Sequence, residues 1–437
     1  MTGTNFVPEV PEMTLAETAD GLRHGRTGLR AEVANRQSRM AAVDPEIQAF
    51  VSESSRWGRI EHRAAELETE FPEPPTRPPM YGVPVGVKDI FHVDGLDTRA
   101  GSDLPAERLT GPEGTVVDRL TDAGAITLGK TVTAEFAYFE PGPTRNPHNT
   151  AHTPGGSSSG SAAAVAAGLC PAAVGTQTIG SIIRPAAFCG VIGVKPSYDR
   201  VPSDGIIPVS PSLDQVGCFT QDIEGAQLLA AILSDQWRPI PTPRQKPKLG
   251  VPEGAYLQQA TATGRRAFES SVEQLAEAGY EIERVELFDN IGAINERHET
   301  LMAAEMAIAH DSWYAEFADR YADGTADLIE RGQRVTASEI AWGREGRTDL
   351  RESLAETMDE YDIDIWISPA APGPAPEGID DTGDPVMNLP WTNAGLPTIS
   401  IPAETADNGL PVGLQCAARF GADEELLAWA DGLTTAI

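Results

Sequence analysis

Apolar residues along the first 70 positions are spaced among many charges in a helical pattern, which predicts helices over 13–35 and 45–70. A proline-rich connector over 71–80 follows them. From 81 to about 218 the charge thins out, and glycine, serine, alanine and proline dominate. The chain therefore begins with charged helices and continues into a long, weakly charged segment of turns and apolar stretches.

Regular patterning returns in the second half of the chain. Region 261–361 is acidic and mainly helical, and a last helix is predicted from Asp423 onward. The short apolar runs that are typical of strands are 125–128, 248–251, 363–367, 398–401 and 412–415. Helices that alternate with short apolar strands predict an α/β fold.

The 437 residues include 65 Asp and Glu against 33 Lys and Arg, which gives a formal net charge of −32. A field of this sign repels a phosphate backbone and an anionic lipid surface, so we expect neither a nucleic acid nor a membrane as partner. No apolar run reaches the roughly 20 residues of a membrane span. The N-terminus shows no basic start followed by an apolar run, and we therefore expect a cytoplasmic protein.

Lysine is rare, with five lysines against 28 arginines. A large acidic excess with few lysines indicates adaptation to concentrated salt, in which cations screen the self-repulsion. A lysine within an apolar, glycine-rich segment, such as Lys88, is then expected to have a specific role. The four cysteines have small or apolar neighbours and form no CxxC pair, which favours buried thiols over disulfides or zinc ligands.

Three short motif matches lack the context that their chemistry needs. Segment 124–131 fits the phosphate-loop pattern GxxxxGK[ST], but its variable residues have the pattern of a strand. Segment 156–160 fits the GxSxG nucleophile elbow, yet the later histidines, His298 and His310, lie in the acidic helical region. His148 and His152 have the spacing of helical zinc ligands, but flanking prolines favour a loop.

A longer constellation spans 82–220. It contains GVPVGVKDIF at 82–91, PGGSSSGSAAAVAAG at 154–168 and GTQTIGSIIRPAAFCGVIGVKPS at 175–197. The period of two in a strand places Lys88 and Asp89 on opposite faces. A serine hydroxyl needs a base that removes its proton during attack, and burial lowers the pKa of a lysine towards that role. The three segments therefore supply the residue types for nucleophilic catalysis by serine.

With these segments, and with KTVTAEFAYF from Lys130 and WTNAGLPTISIP near the C-terminus, the sequence resembles the amidase signature family. The resemblance implies an α/β fold with a single large mixed, twisted β-sheet flanked by α-helices. It implies one amidase domain over 1–437, with a helical part at 1–70, the signature core at 81–220 and an acidic helical part at 254–361. Neither a cofactor nor a metal is implied.

The resemblance also assigns roles by position within the motifs. Ser181 corresponds to the nucleophile, Ser157 to a bridging serine in cis geometry, and Lys88 to the general base. The backbone N–H groups that correspond to the oxyanion hole belong to Thr178, Ile179, Gly180 and Ser181. The candidate substrate contacts are Ser158, Tyr138, Arg184 and Trp391. Arg184 is expected to meet either a substrate carboxylate or an acidic side chain of the protein.

The implied reaction is hydrolysis of the C–N acyl bond of a small amide through an acyl-enzyme. Three alternatives stay open: a hydrolase of carbamates or urea-type groups, the glutaminase subunit of a tRNA-dependent amidotransferase, and a nucleotide-binding protein that uses 124–131. Gln177, Ile179 and Ile183 depart from the commonest family pattern, which weighs against the amidotransferase. Ile179 is expected to restrict the turn or narrow the pocket. The oligomeric state, including a homodimer, is open.

Overall fold

Ten strands form one mixed sheet in the computed structural model, which describes residues 14–437. The strands are β1 (Pro84–Lys88), β2 (Ile126–Thr131), β3 (Ala172–Gln177), β4 (Ile192–Lys195), β5 (Gln215–Thr220), β6 (Leu249–Glu253), β7 (Ile282–Glu286), β8 (Ile365–Pro369), β9 (Thr398–Thr405) and β10 (Pro411–Ala418). Their order is β2-β1-β3-β5-β4-β9-β10-β8-β6-β7. The pairs at both ends are parallel and those in the middle are antiparallel. The prediction of a single large mixed sheet flanked by helices is confirmed.

Fifteen α-helices accompany the sheet within the described residues. They are α1 (Leu15–Arg23), α2 (Leu29–Ile47), α3 (Arg56–Glu70), α4 (Thr115–Asp122), α5 (Ser159–Ala166), α6 (Ile183–Cys189), α7 (Ile223–Leu233), α8 (Ala255–Gln258), α9 (Ala262–Glu277), α10 (Ile291–Ala309), α11 (Asp311–Phe317), α12 (Asp323–Gly332), α13 (Ala337–Tyr361), α14 (Leu389–Ala394) and α15 (Asp423–Ala436). None of these helices is long and apolar enough to cross a bilayer.

The N-terminal boundaries differ from the prediction of two helices over 13–35 and 45–70. The structure has three helices, because Gly25 adopts a positive φ between α1 and α2, and Gln48 takes the left-handed conformation at the end of α2. Pro45 lies inside the last turn of α2 and does not begin a new helix. Met13, and the first residues on which the expectation of no signal peptide partly rests, lie outside the described part.

One strand lies where helix was predicted. β7 lies in the region that was expected to be mainly helical, and it pairs with β6 at the edge of the sheet. Its sequence IERVE buries Val285 and leaves the glutamates and the arginine largely accessible. An edge strand with one solvated side can carry such charges, so its composition does not separate it from a surface helix.

The segment that resembles a phosphate loop is mainly a strand. β2 extends to Thr131, and Lys130 Nζ lies 2.8 Å from the carboxylate oxygen Oδ1 of Asp89. The side chains of Lys130 and Asp89 are both buried. Lys88 bonds Ser157 instead, as expected if Lys88 and its neighbour Asp89 lie on opposite faces of the strand. A lysine that already pairs with a buried carboxylate on a strand is not placed to receive a nucleotide phosphate.

The cysteines and the paired histidines also follow the sequence-based expectation. All four cysteines are free and buried. The rings of His148 and His152 bond the backbone oxygens of Cys189 and Ala375, each at 2.9 Å. Across residues 14–437 no group of three or more His, Cys, Asp or Glu side chains is arranged to hold a metal ion.

The buried ion pair between Lys130 and Asp89 leads to a stability prediction. Lys130→Ala leaves the Asp89 carboxylate buried without its counter-ion, and we expect a loss of about 3 kcal/mol in the free energy of unfolding. The double variant Lys130→Met with Asp89→Asn should recover part of that loss. Urea unfolding at constant salt measures both, with Lys246→Ala on the surface as the control. If Lys130→Ala lowers the free energy of unfolding no more than the control does, the prediction is wrong.

Candidate active site

The carboxyl ends of two neighbouring parallel strands bring the candidate catalytic residues together. Lys88 is the last residue of β1, and Thr176 is the penultimate residue of β3, which pairs with β1 in parallel. Side chains from the carboxyl ends of adjacent parallel strands meet at one edge of a sheet. The loop before α5 carries Ser157, and the turn between β3 and α6 carries Ser181.

Lys88 is completely buried and bonded to two hydroxyl groups. Its Nζ lies 2.8 Å from Ser157 Oγ and 2.8 Å from Thr176 Oγ1. The Ser158 hydroxyl instead donates to the backbone oxygen of Thr176 at 3.2 Å. The peptide bond between Gly156 and Ser157 is cis. Ser157 is thus the member of the serine run that is hydrogen-bonded to the lysine in the described part of the chain.

Burial sets the protonation of this lysine. Removal from water lowers the pKa of Lys88 to about 7, and the carboxylate of Asp214 opposes the shift. Asp214 is itself held by the Thr178 hydroxyl at 2.6 Å and by the Val209 and Ser210 N–H groups at 2.9 and 3.0 Å. Its burial raises the pKa of Asp214 to about 6. Near neutral pH a substantial share of Lys88 is therefore the free amine.

Two polar side chains hold the turn that carries Ser181. Gln177 Oε1 accepts the N–H groups of Ile182 and Ile183 at 2.8 and 3.0 Å. Its Nε2 donates to Thr392 Oγ1 at 2.8 Å, and the Thr392 hydroxyl donates to the backbone oxygen of Ile179 at 2.6 Å. These hydrogen bonds connect the first turn of α6 and the backbone carbonyl of Ile179 to α14.

Four backbone donors of this turn have no acceptor in the described part of the protein. Within residues 14–437, the N–H groups of Thr178, Ile179, Gly180 and Ser181, the four predicted donors, make no hydrogen bond. Gly180 packs closely, since a Cβ atom there would lie 2.3 Å from Asn388 Oδ1. The close contact with Asn388 therefore requires a glycine at position 180. The backbone N–H groups of the turn stay available to the oxygen atom of an incoming substrate.

The two candidate catalytic serines are not bonded to each other. No hydrogen bond joins the hydroxyls of Ser157 and Ser181 in the described residues. Catalytic hydrogen bonds in a protein without substrate are often long and tighten only in the complex. Ser181 is 8% exposed, and its side chain lines a small cavity.

His298 has a positioning role that the sequence did not indicate. Its Nε2 donates to the backbone oxygen of Thr178 at 3.1 Å, and Asn393 Nδ2 donates to its Nδ1 at 3.2 Å. Burial lowers the pKa of His298 to about 3, which keeps the ring neutral and able to make both bonds. The position of His298 in the acidic helical region, which argued against a serine triad, gave no information on this contact. Thr176 and Gln177 could have been suspected, because both lie within the quoted motif.

The substrate-contact candidates divide into two pairs. Tyr138 and Arg184 line the cavity beside Ser181, together with Ile179. Ser158 is buried beneath the site. Trp391 is completely buried in the core, where its indole N–H donates to Tyr256 at 2.8 Å, and it is not among the lining residues.

Arg184 is used by the protein itself. Its guanidinium donates to the backbone oxygens of Gly383 and Gly156, the latter at 2.7 Å, and to Thr382 Oγ1 at 3.2 Å. Burial lowers the pKa of Arg184 to about 10, so it stays charged at neutral pH. The expected pairing with an acidic side chain is absent at ion-pair distance in residues 14–437, because backbone carbonyls occupy those donors.

The family model for Amidase matches residues 32–427, which include every residue of this site. The chain belongs to the amidase family. Since that family acts on C–N bonds, the chain is an enzyme of the C–N hydrolase and amidotransferase kind. The resemblance inferred from the glycine-serine segments is confirmed.

Relatives and solved structures cover nearly the whole chain. A glutamyl-tRNA(Gln) amidotransferase subunit of Synechococcus sp. (strain RCC307) is 30% identical over 466 residues, 95% of each protein. A crystal structure of an amidase has 30% identity and a TM-score of 0.87, covering 97% of this chain and 99% of that chain. The peptide amidase from Stenotrophomonas maltophilia has 25% identity and a TM-score of 0.81, covering 97% of both chains.

The lowered pKa of Lys88 predicts a dependence of stability on pH. Between about 7 and the ordinary value of 10.5, the unfolded chain holds the proton that the folded chain lacks, so stability rises with pH. The free energy of unfolding of the wild type should therefore increase relative to that of Lys88→Met, by roughly 1 kcal/mol per pH unit over pH 7.5 to 9.5. Lys246→Met is the control. If the free energies of unfolding of the wild type and Lys88→Met change in parallel with pH, burial does not lower the pKa of Lys88.

Proposed function

We propose that the protein hydrolyses the C–N acyl bond of a small amide, with Ser181 as nucleophile, Ser157 as bridging serine and Lys88 as general base. The observation that carries the proposal is the buried Lys88 amine bonded to Ser157 beside a turn with four free N–H groups. A base with a pKa near the working pH and fixed donors for a developing oxyanion are the two components that acyl transfer needs.

The first half of the reaction forms an acyl-enzyme. Ser181 Oγ attacks the acyl carbon while its proton passes to Ser157 Oγ and the Ser157 proton passes to the Lys88 amine. The substrate oxygen becomes an oxyanion and accepts the N–H groups of Ile179, Gly180 and Ser181. The C–N bond then breaks as the Lys88 proton returns through Ser157 to the leaving nitrogen, which departs as an amine.

The second half releases the acid. A water molecule attacks the ester carbon and gives its proton, by way of Ser157, to the Lys88 amine. The ester bond breaks, and the proton returns to Ser181 Oγ. The same steps cleave a carbamate or a urea-type group, whose acyl carbon bears a second heteroatom. Nothing in the scheme requires a metal or a cofactor.

A second candidate is the glutaminase subunit of a tRNA-dependent amidotransferase. The names of the curated relatives support it more directly than they support a free amidase. The identity to a solved amidase is also 30%, so identity alone does not separate the two. Ile179, which lines the cavity beside the nucleophile and departs from the commonest family pattern, favours the free amidase.

Reaction with a fluorophosphonate tests the catalytic assignment. By intact mass, the wild type should gain one adduct and Ser181→Ala should gain none. In Lys88→Ala and Ser157→Ala the adduct should form at least about a thousandfold more slowly. Ser158→Ala is the matched control, because its hydroxyl bonds a carbonyl and not the lysine, and it should stay within about tenfold of wild type. An adduct that survives Ser181→Ala would overturn the assignment.

Glutamine distinguishes the two candidate functions. A glutaminase of that kind should co-purify with a second protein from its own cells and release ammonia from glutamine faster in that complex. A free amidase should be isolated without such a partner, show little glutaminase activity and hydrolyse members of an amide and carbamate panel. Strong glutaminase activity in a purified complex would replace the first candidate by the second.

A further inference from the structure

Two adjoining cavities beside Ser181, which we together call the passage, extend from the nucleophile towards the outer carboxylates. The two cavities share the lining residues Tyr138, Phe139, Ile179, Met302 and Pro385. Ser181 and Arg184 line the inner cavity, whereas Glu299 and Asp384 line the outer one, whose volume is about 160 Å³. A substrate with its acyl group at Ser181 would therefore extend past aromatic and aliphatic side chains towards the two carboxylates.

The outer cavity is negatively charged. Its lining includes Glu299 and Asp384 but neither lysine nor arginine. Glu299 has a partner, since Arg331 Nη1 lies 3.6 Å from its carboxylate on the protein surface. Asp384 accepts the Val386 N–H at 2.9 Å and forms no ion pair with the described residues.

The sequence adds to this charge. The chain has no lysine or arginine from 370 to 418, while Glu377, Asp380, Asp381 and Asp384 lie within eight residues of one another. We call 377–384 the acidic segment. The outer end of the passage thus lies beside a stretch of chain with four carboxylates and no basic residue.

Arg184 fixes the acidic segment to the catalytic site. Its guanidinium bonds Gly383 and Thr382 on the segment and Gly156 beside the bridging serine. The next residue, Pro385, packs against the nucleophile turn, since a Cβ atom at Gly180 would lie 2.8 Å from it. The backbone at Asp384 is therefore held at a defined place relative to Ser181, and the two terminal nitrogens of Arg184 are already bonded within the protein.

Resting on the proposed function, we propose that the passage selects amides or carbamates whose apolar body ends in a cation, and that it rejects those ending in a carboxylate. The acyl carbon lies at Ser181, the apolar body lies against Tyr138, Phe139 and Met302, and the ammonium or guanidinium group lies between Glu299 and Asp384. A substrate carboxylate at that end would face Glu299 and Asp384, and the guanidinium of Arg331 there is already paired with Glu299, so its binding is costly.

The test uses three fluorophosphonates that share one alkyl linker and end in an ammonium, a hydroxyl or a carboxylate group. Labelling rates of Ser181, taken from intact mass at one fixed salt concentration, should follow the order cation, neutral, anion. We expect the cationic probe to react roughly tenfold or more faster than the anionic one. An anionic probe that reacts as fast as the cationic one would overturn the proposal.

Two charge-neutralising variants localise the effect. Asp384→Asn keeps an oxygen for the Val386 N–H, and Glu299→Gln keeps the shape of the side chain. Each should lower the ratio of the cationic to the neutral labelling rate by roughly two- to fivefold. Asp407→Asn, an exposed carboxylate in the turn between β9 and β10, is the matched control and should leave the ratio unchanged. A ratio that is equal in all four proteins would contradict the inference.

The outcomes separate this inference from the function on which it rests. If all three probes label Ser181 at equal rates, the charge selection is wrong and the serine mechanism stands. If no probe labels Ser181 in the folded protein, the mechanism fails and the charge selection fails with it.

Discussion

The catalytic site depends on how a lysine is kept buried without a carboxylate in contact. A fully buried ammonium is costly, so burial favours the free amine of Lys88 and brings its pKa close to neutrality. Its two close partners, Ser157 and Thr176, are hydroxyls, which can donate or accept a hydrogen bond. The site therefore accommodates both protonation states of the lysine, as a base that gains and loses a proton requires.

Two other buried lysines, Lys130 and Lys195, have different hydrogen-bond partners from those of Lys88. Lys130 faces the Asp89 carboxylate at 2.8 Å, which favours its charged form. Lys195 donates to the backbone oxygens of Leu396 and Pro196 and to the side-chain oxygen of Gln215. The three partners of Lys195 only accept hydrogen bonds, whereas Lys130 also bonds the Thr98 hydroxyl at 3.1 Å. Burial lowers the pKa of Lys195 to about 7 as well, so Lys88 is distinguished by its serine and threonine hydroxyl partners and not by burial or by its pKa.

The α/β fold, most strands and the grouping of Lys88 with Ser157 were predictable, because they rest on local apolar patterns and on long glycine-serine segments. The β7 edge strand and the break between α2 and α3 were not, since their residues suit several conformations. The supports of the nucleophile turn were hardest to predict. His298, Thr392 and Asp214 reach it from distant parts of the chain, and no sequence spacing encodes such contacts. Arg184 was predicted near the site, but its backbone partners depend on the path of a loop.

The pH dependence of fluorophosphonate labelling tests the central claim, that a neutral Lys88 activates Ser181, most directly. The second-order rate constant should rise with pH through a midpoint near 7 in the wild type, as the lysine loses its proton. Lys88→Met should label slowly and without that midpoint, while Lys246→Met should match the wild type. A midpoint near 7 that persists in Lys88→Met would assign the titration to another group and contradict the account.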